Sequence, residues 1–165
     1  MTTLTSKPLH IRRAVRADLP AMLRIEQASF ADPWTIDSLS TALSLDRMRV
    51  LVAESAEQGG KVGDAAPELL GYVVALVAGL EAEIADLAVA PESRRIGIGR
   101  ALLQRVLAEL GEAAVQMVYL EVRESNEAAR TLYETSGFCS VGRRRAYYRS
   151  PIEDALVLRR EIGPT

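Results

Sequence analysis

The sequence predicts one α/β (α+β) domain built around a single sheet. At 165 residues the chain has the length of one domain. Apolar residues make up 48% and charged residues 25%, a composition typical of a globular protein with a hydrophobic core. Helical and strand patterns follow one another in the order β-α-α-β-β-β-α-β-α-β-β, without an internal repeat. We therefore treat residues 1–165 as one domain.

The chain opens with one strand and two helices. Residues 9–14 alternate weakly between polar and apolar side chains, which predicts a strand. Asp18 is expected to cap a first helix. Residues 31–34 (Ala-Asp-Pro-Trp) end that helix, because the residue before a proline is pushed out of the α region. Thr35 is expected to cap a second helix that runs to about Leu45.

Three strand patterns follow, at residues 49–54, 69–78 and 83–89. Between the first two, residues 55–68 contain three glycines, a proline and scattered charges. This composition predicts a flexible loop. Residues 1–8 are polar and predict a flexible tail.

The second half of the chain contains the helix with the strongest apolar periodicity, at residues 97–110. An apolar strand at 115–122 and a short helix at about 126–135 come next. Strands at 138–148 and 155–159 complete the predicted order.

Charge and cysteine content exclude several classes of protein. A net charge of −2 lacks the basic excess typical of nucleic-acid binding. Cys139 is the only cysteine, so neither an intrachain disulfide nor a zinc site with several cysteines is possible. No apolar run approaches the roughly 20 residues of a membrane span, and residues 1–8 lack the apolar core of a secretory signal. We expect a cytoplasmic protein without metal or membrane.

The segment from Val89 to Leu103 carries the chemistry. A strand ends there, a basic glycine-containing turn follows, and the strong helix begins. Unpaired N–H groups at a helix N-terminus form a site suited to a diphosphate. Gly97 and Gly99 allow close approach to the backbone, while Arg95 and Arg100 add positive charge.

Two other phosphate loops fit this segment poorly. A Walker A loop needs Lys-Ser/Thr after its last glycine, where this chain has Arg100-Ala101. A dinucleotide fingerprint needs a third glycine and an early parallel βαβ unit. The remaining alternative is that the two glycines merely start the helix.

The run Arg94-Arg95-Ile96-Gly97-Ile98-Gly99 resembles the acetyl-CoA signature of GNAT acetyltransferases, Gln/Arg-x-x-Gly-x-Gly/Ala. Within that superfamily the chain is similar to the RimI-type ribosomal-protein-alanine N-acetyltransferases. Beyond residues 1–8 and the 55–68 loop, the resemblance covers nearly the whole chain. It is carried by residues 120–129 (Leu-Glu-Val-Arg-Glu-Ser-Asn-Glu-Ala-Ala), 132–134 (Leu-Tyr-Glu), 137–138 (Gly-Phe), 32–34 (Asp-Pro-Trp), 147–148 (Tyr-Tyr) and 153–155 (Glu-Asp-Ala).

The resemblance implies a mixed, mostly antiparallel sheet of about seven strands with about four flanking helices, splayed between strands 4 and 5. It implies acetyl-CoA as cosubstrate and no covalent acetyl-enzyme. Glu121 would be the base, and Tyr133 the acid that protonates the CoA sulfur. Three residues would shape the substrate cleft: Trp34, Tyr147 and Tyr148. The cofactor contacts would be Leu87, Ala88, Val89, Arg94, Arg95, Ile96, Gly97, Ile98, Gly99, Arg100 and Asn126.

The chemistry favours an N-terminal amine as acceptor. An amine attacks a thioester only when neutral, and the departing thiolate is stabilised by a proton, so a base and an acid are needed. An α-amine titrates near ~7.8 and a lysine amine near ~10.4, a difference of roughly 3.5 kcal/mol in deprotonation. The first candidate substrate is therefore a protein N-terminus, with the N-terminal alanine of a small-subunit ribosomal protein implied by the resemblance.

Several alternatives stay open. Ala90 and Ala146 depart from the aspartate and asparagine common in the family, which weakens the assignment of its exact peptide preference. The enzyme could be a relaxed N-terminal, lysine or small-amine acetyltransferase, or the chain a non-catalytic acyl-CoA-binding module. Residues 143–145 (Arg-Arg-Arg) predict a solvated strand face rather than an RNA site, and Cys139 a small buried side chain rather than a nucleophile. We expect a monomer or weak dimer.

Overall fold

A computed structural model describes residues 8–56 and 67–163, which form a seven-stranded sheet flanked by four α-helices. The strands are β1 (Leu9–Arg13), β2 (Met48–Ser55), β3 (Leu69–Ala78), β4 (Glu81–Val89), β5 (Met117–Arg123), β6 (Cys139–Arg149) and β7 (Ile152–Glu161). The helices are α1 (Leu19–Ser29), α2 (Ile36–Ser44), α3 (Ile98–Glu112) and α4 (Glu127–Thr135). The tail predicted at 1–8 and the loop predicted at 55–68 lie, apart from their ends, outside the described residues.

The strand order is β1-β2-β3-β4-β5-β7-β6, and every neighbouring pair is antiparallel except β4 and β5. The parallel pair is joined only from Glu81↔Met117 to Ile84↔Leu120. Beyond Ile84 the two strands diverge. The mixed, mostly antiparallel sheet splayed between strands 4 and 5 is thereby confirmed.

Two apolar layers cover the sheet. On one face, α3 buries Leu102, Val106 and Leu110 against the sheet. On the other face, α1 and α2 bury Met22 and Leu39. Among the described residues, no helix is both long and apolar enough to cross a membrane.

A β-bulge at Ala85 reverses the two faces of β4. Val74 of β3 pairs with Asp86, but the next residue, Ala75, pairs with Ile84, so Ala85 is the extra residue. Before the bulge, Ile84 packs in the α3 layer, whereas after it Ala88 packs in the α1/α2 layer. Asp86, two positions before Ala88, therefore faces α1 and α2.

Two local expectations need correction. The Asp18 carboxylate makes no capping hydrogen bond to α1; it turns back to accept from Val15 N–H at 2.7 Å and from Arg12 at 2.8 Å. Cys139 is exposed rather than buried, because it begins β6, which lies at the edge of the sheet and has exposed side chains along most of its length. The cap predicted at Thr35 is confirmed: its hydroxyl accepts from Ser38 N–H at 3.1 Å.

Candidate active site

The splay leaves one edge of β4 open. Leu87, Ala88 and Val89 pair with β3 on one side, while their pairing with β5 has already ended at Ile84. Backbone groups on that edge are directed into the gap, where an extended molecule can pair with them as a further strand would. The cofactor contacts predicted at Leu87, Ala88 and Val89 thus lie on a strand edge whose backbone groups are not paired with β5.

The basic turn follows directly after β4 and leads into α3. Gly97 is the N-cap of α3 and has φ +90°, a left-handed conformation that favours glycine. Arg95 also has a positive φ, of 66°, and its side chain is exposed, as is that of Ile96. The first N–H groups of α3 have no intrahelical partner, so this helix end is suited to an anion.

The two arginines on either side of this turn hold it in place. Arg94 Nε donates to the Val89 carbonyl at 3.0 Å, and Arg94 Nη2 to Ser29 Oγ at 3.1 Å. Arg100 Nη2 donates to Thr135 Oγ1 at 2.7 Å, which ties the start of α3 to the end of α4. In this structure both guanidinium groups position the turn, and Arg95 is the neighbouring arginine with its side chain in solvent.

We expect Gly97→Ala to weaken coenzyme A binding by about tenfold, because an L-residue in the left-handed region costs roughly 1–2 kcal/mol. No atom lies within 4 Å of the added methyl group, so backbone strain is the cause rather than a clash. Calorimetric titration with coenzyme A measures the change. The control is Gly111→Ala near the other end of α3, where the methyl also meets open space and binding should stay within twofold.

A cavity of about 280 Å³ lies where β4 and β5 diverge. Its wall is built from α1, the α1–α2 loop, β4, β5, α4 and β6. Six residues predicted for the site line it: Trp34, Leu87, Glu121, Asn126, Tyr133 and Tyr148. Glu121 and Tyr133, the predicted base and acid, thus line one cavity.

Glu121 lies near the end of β5, and its carboxylate forms an ion pair at the cavity. Its Oε1 is 2.9 Å from Arg144 Nε of β6. Glu83 of β4 is its second neighbour: burial and a hydrogen bond to Glu121 raise the pKa of the Glu83 carboxyl. Glu121 is therefore held between a cation and a second acid.

Tyr133 of α4 is 8% exposed and packs edge-to-face on Phe138, with 5.8 Å between ring centroids. Burial, followed by the nearby Asp86 charge, raises the pKa of this phenol. Its hydroxyl makes no hydrogen bond within residues 8–56 and 67–163. The structure thus presents a protonated and uncommitted hydroxyl at the cavity.

The other predicted residues fall into two groups. Asn126 caps α4 by accepting from Ala129 N–H at 3.1 Å and also lines the cavity, so both roles considered for it are compatible. Tyr148 lies under the Arg123 guanidinium, 4.2 Å from the ring centroid, and burial raises its pKa to about 12. Tyr147 is 47% exposed and packs on Tyr148 outside the cavity wall.

Three polar residues of the site were missed by sequence reasoning: Glu26, Tyr72 and Asp86. Glu26 lies one turn after Met22 on the apolar face of α1, and an acid in that position is an unusual signal. Asp86 interrupts an otherwise apolar strand end, but only the bulge at Ala85 determines which face it takes. Glu26 and Asp86 both line the cavity.

Comparison with known proteins agrees with this geometry. Residues 19–138 match the model of the acetyltransferase (GNAT) family. The chain is 36% identical to the [ribosomal protein bS18]-alanine N-acetyltransferase of Escherichia coli K12, over 86% of this chain and 89% of that protein. It is 35% identical to the N-alpha-acetyltransferase RimI of Mycobacterium tuberculosis, over 98% of each. The crystal structure of the ribosomal-protein-S18-alanine N-acetyltransferase from Escherichia coli superposes with a TM-score of 0.82, at 32% identity over 96% of both chains.

Proposed function

The chain belongs to the acetyltransferase (GNAT) family and is an acetyl-CoA-dependent N-acetyltransferase, and we propose that its acceptor is the N-terminal α-amine of a protein. The first candidate is the N-terminal alanine of the small-subunit ribosomal protein bS18, the substrate in the names of its relatives. Such a substrate would place the reaction in the cytoplasm, where ribosomes are assembled.

The observation that carries this proposal is the cavity at the splay, which Glu121 and Tyr133 both line. The open edge of β4 and the N-terminus of α3 support binding of an extended, diphosphate-bearing cosubstrate on one side. The opposite side is formed by the α1–α2 loop and β6, with Trp34 and Tyr148. Donor and acceptor can thus meet in one ternary complex.

In the proposed mechanism, Glu121 accepts a proton from the attacking nitrogen, directly or through a water. Tyr133 donates a proton to the sulfur as the C–S bond breaks, and thereby stabilises the departing thiolate. The main-chain edge at Leu87 orients the thioester. Arg144 holds the Glu121 carboxylate in place.

The acidic character of the acceptor side supports an amine substrate. Carboxyl groups of Glu26, Asp86 and Glu121 line the cavity, and an ammonium group is attracted to such a wall. An α-amine of pKa about 7.8 is far easier to deprotonate here than a lysine amine of about 10.4.

Matched peptides test the proposal. The purified protein and acetyl-CoA are incubated with an Ala-initiated peptide containing an internal lysine, and with the same peptide blocked at its N-terminus. We expect acetylation of the free peptide only, located by tandem mass spectrometry. Intact-mass measurement of unmodified ribosomal proteins then identifies the physiological acceptor. Acetylation confined to the lysine would sink the proposal and favour the relaxed or lysine-specific alternative, and tight coenzyme A binding without turnover would favour the non-catalytic one.

A further inference from the structure

A buried acidic cluster lies in the wall of the cavity, formed by Glu26 of α1, Tyr72 of β3 and Asp86 of β4. Their exposed fractions are 1%, 0% and 8%. The Tyr72 hydroxyl contacts Glu26 Oε2 and lies 3.2 Å from Asp86 Oδ2. The other carboxylate oxygen of Glu26 accepts from Trp34 N–H at 2.8 Å, so the cluster is also tied to the α1–α2 loop.

The contacts of this cluster favour a proton shared between its two acids. The one phenolic hydrogen of Tyr72 can be donated to only one of the two acids. Burial and the neighbouring Glu26 carboxyl both raise the pKa of Asp86, because two carboxylates that share one buried site repel each other when both are ionised. Among the described residues, no arginine, lysine or histidine forms an ion pair with either acid. The pair is therefore compensated by a proton rather than by a cation of the protein.

We propose that this carboxyl pair, with Asp86 as its cavity-facing member, accepts the proton that the substrate's ammonium group loses before it attacks. The role rests on the proposed α-amine substrate. The surroundings suit it: burial, followed by the hydrogen bond with Glu26, raises the pKa of Asp86 to about 8. That value matches an α-amine of about 7.8, so transfer between them is nearly balanced in free energy.

The proposal completes the proton balance of the reaction. The nitrogen starts as an ammonium and ends as an amide, so it loses two protons. The first goes to the Glu26–Asp86 pair, which has given its own shared proton to solvent, and leaves a neutral amine. The second goes to Glu121 as the C–N bond forms, and Tyr133 supplies the proton that the departing sulfur takes up.

Other titratable groups share the environment of Asp86 and contribute to its pH dependence. Tyr133 of α4 is close enough for the Asp86 charge to raise the pKa of its phenol. The charged or titratable residues facing the same cavity are Asp32 from the α1–α2 loop, Glu121 and Arg123 from β5, and Tyr148 from β6. None of the residues named here forms a direct ion pair with Asp86.

The test is Asp86→Asn, which keeps the size of the side chain but removes its acidity. At pH 7 we expect kcat/KM for an Ala-initiated peptide to fall about 30-fold, since general acid–base groups are worth about 100-fold or more and Glu26 remains. At pH 9 the free amine is already neutral, so the defect should shrink to about threefold. Thermal unfolding and coenzyme A affinity show whether the variant is intact, and Glu112→Gln at the far end of α3 serves as a matched control.

A count of protons gives a readout separate from turnover. Peptide is titrated into the enzyme–coenzyme A complex at pH 7 in two buffers of different ionisation enthalpy. The native protein should release most of one proton, because ammonium and pair each hold one before binding and share one afterwards. Asp86→Asn should release almost none. If that variant fails to fold, Tyr72→Phe, which keeps both acids, replaces it, with a reduced release expected.

Equal proton release by native protein and variant, or a defect that stays constant from pH 7 to pH 9, would overturn the role of Asp86. Failure of the proposed function gives a different result. If the native enzyme acetylates only lysine or a small amine, the α-amine assignment is lost. The same proton count, made with that amine, then decides whether Asp86 accepts its proton.

Discussion

Tyr133→Phe is expected to lower kcat about 1,000-fold while leaving coenzyme A binding and thermal stability almost unchanged. The hydroxyl makes no hydrogen bond with the described residues, so its removal leaves no partner unsatisfied. The ring keeps its edge-to-face contact with Phe138. Steady-state kinetics with an Ala-initiated peptide measure the loss, and coenzyme A titration provides the control.

The reason for so large an effect lies in the departing sulfur. A thiol titrates near 8.5 in water and the buried phenol well above 10, so proton transfer to a solvated thiolate would be unfavourable. In the buried cavity, however, the pKa of the departing coenzyme A thiol is raised as well. A proton donated by Tyr133 therefore stabilises the sulfur strongly when the C–S bond breaks. Wild-type turnover by the phenylalanine variant would show that water, rather than Tyr133, protonates the sulfur.

Glu121→Gln is expected to lower kcat/KM about 1,000-fold at both pH 7 and pH 9. The proton that Glu121 accepts leaves the nitrogen as the C–N bond forms. This step is needed whether the free amine in solution is charged or neutral. This constancy contrasts with Asp86→Asn, whose defect should shrink as the free amine becomes neutral. Arg144 loses its partner but is 58% exposed, so we expect little loss of stability.

Glu124→Gln is the matched control for this variant. Glu124 lies three positions further along, is 42% exposed, and pairs with Arg143 at 2.6 Å outside the cavity wall. The same chemical change there should leave kcat/KM within twofold. Equal losses for the two variants would indicate a general effect of negative charge, and full activity of Glu121→Gln would remove Glu121 from the mechanism.

The order of elements was predictable because each strand and helix has a clear local pattern. Leu69–Ala78 is an apolar run between turn residues, and the helix that Thr35 caps is separated from α1 by a loop with Pro33 two positions before the cap. The exposure of side chains on an edge strand could not be predicted from local sequence patterns. Cys139 was expected to be buried because it lies in a strand, but exposure depends on that strand having one neighbour, a property of the whole sheet.

The candidate site residues that could be predicted are those that lie in recognisable short patterns of the sequence. Gly97 and the arginines around it lie in one continuous segment that indicates an anion site. Glu121 and Tyr133 lie in β5 and α4, which follow each other directly in the chain. The Glu26–Tyr72–Asp86 cluster has no such local signal, because its members come from α1, β3 and β4. Glu26 and Tyr72 are 46 positions apart in the sequence, and Tyr72 and Asp86 are 14 apart. The extra residue in β4 that turns Asp86 toward α1 cannot be read from the alternation of side chains alone.

The bulge at Ala85 lets successive residues of β4 face opposite sides of the sheet at the cavity. After it, Asp86 faces the acceptor side, while Leu87 packs toward α3. In the proposed mechanism the thioester is oriented by main-chain atoms of β4, which every amino acid carries. If Asp86 accepts the substrate's proton as proposed, a substitution at position 86 changes the acceptor side of the site, while the main-chain contacts proposed for the donor stay the same.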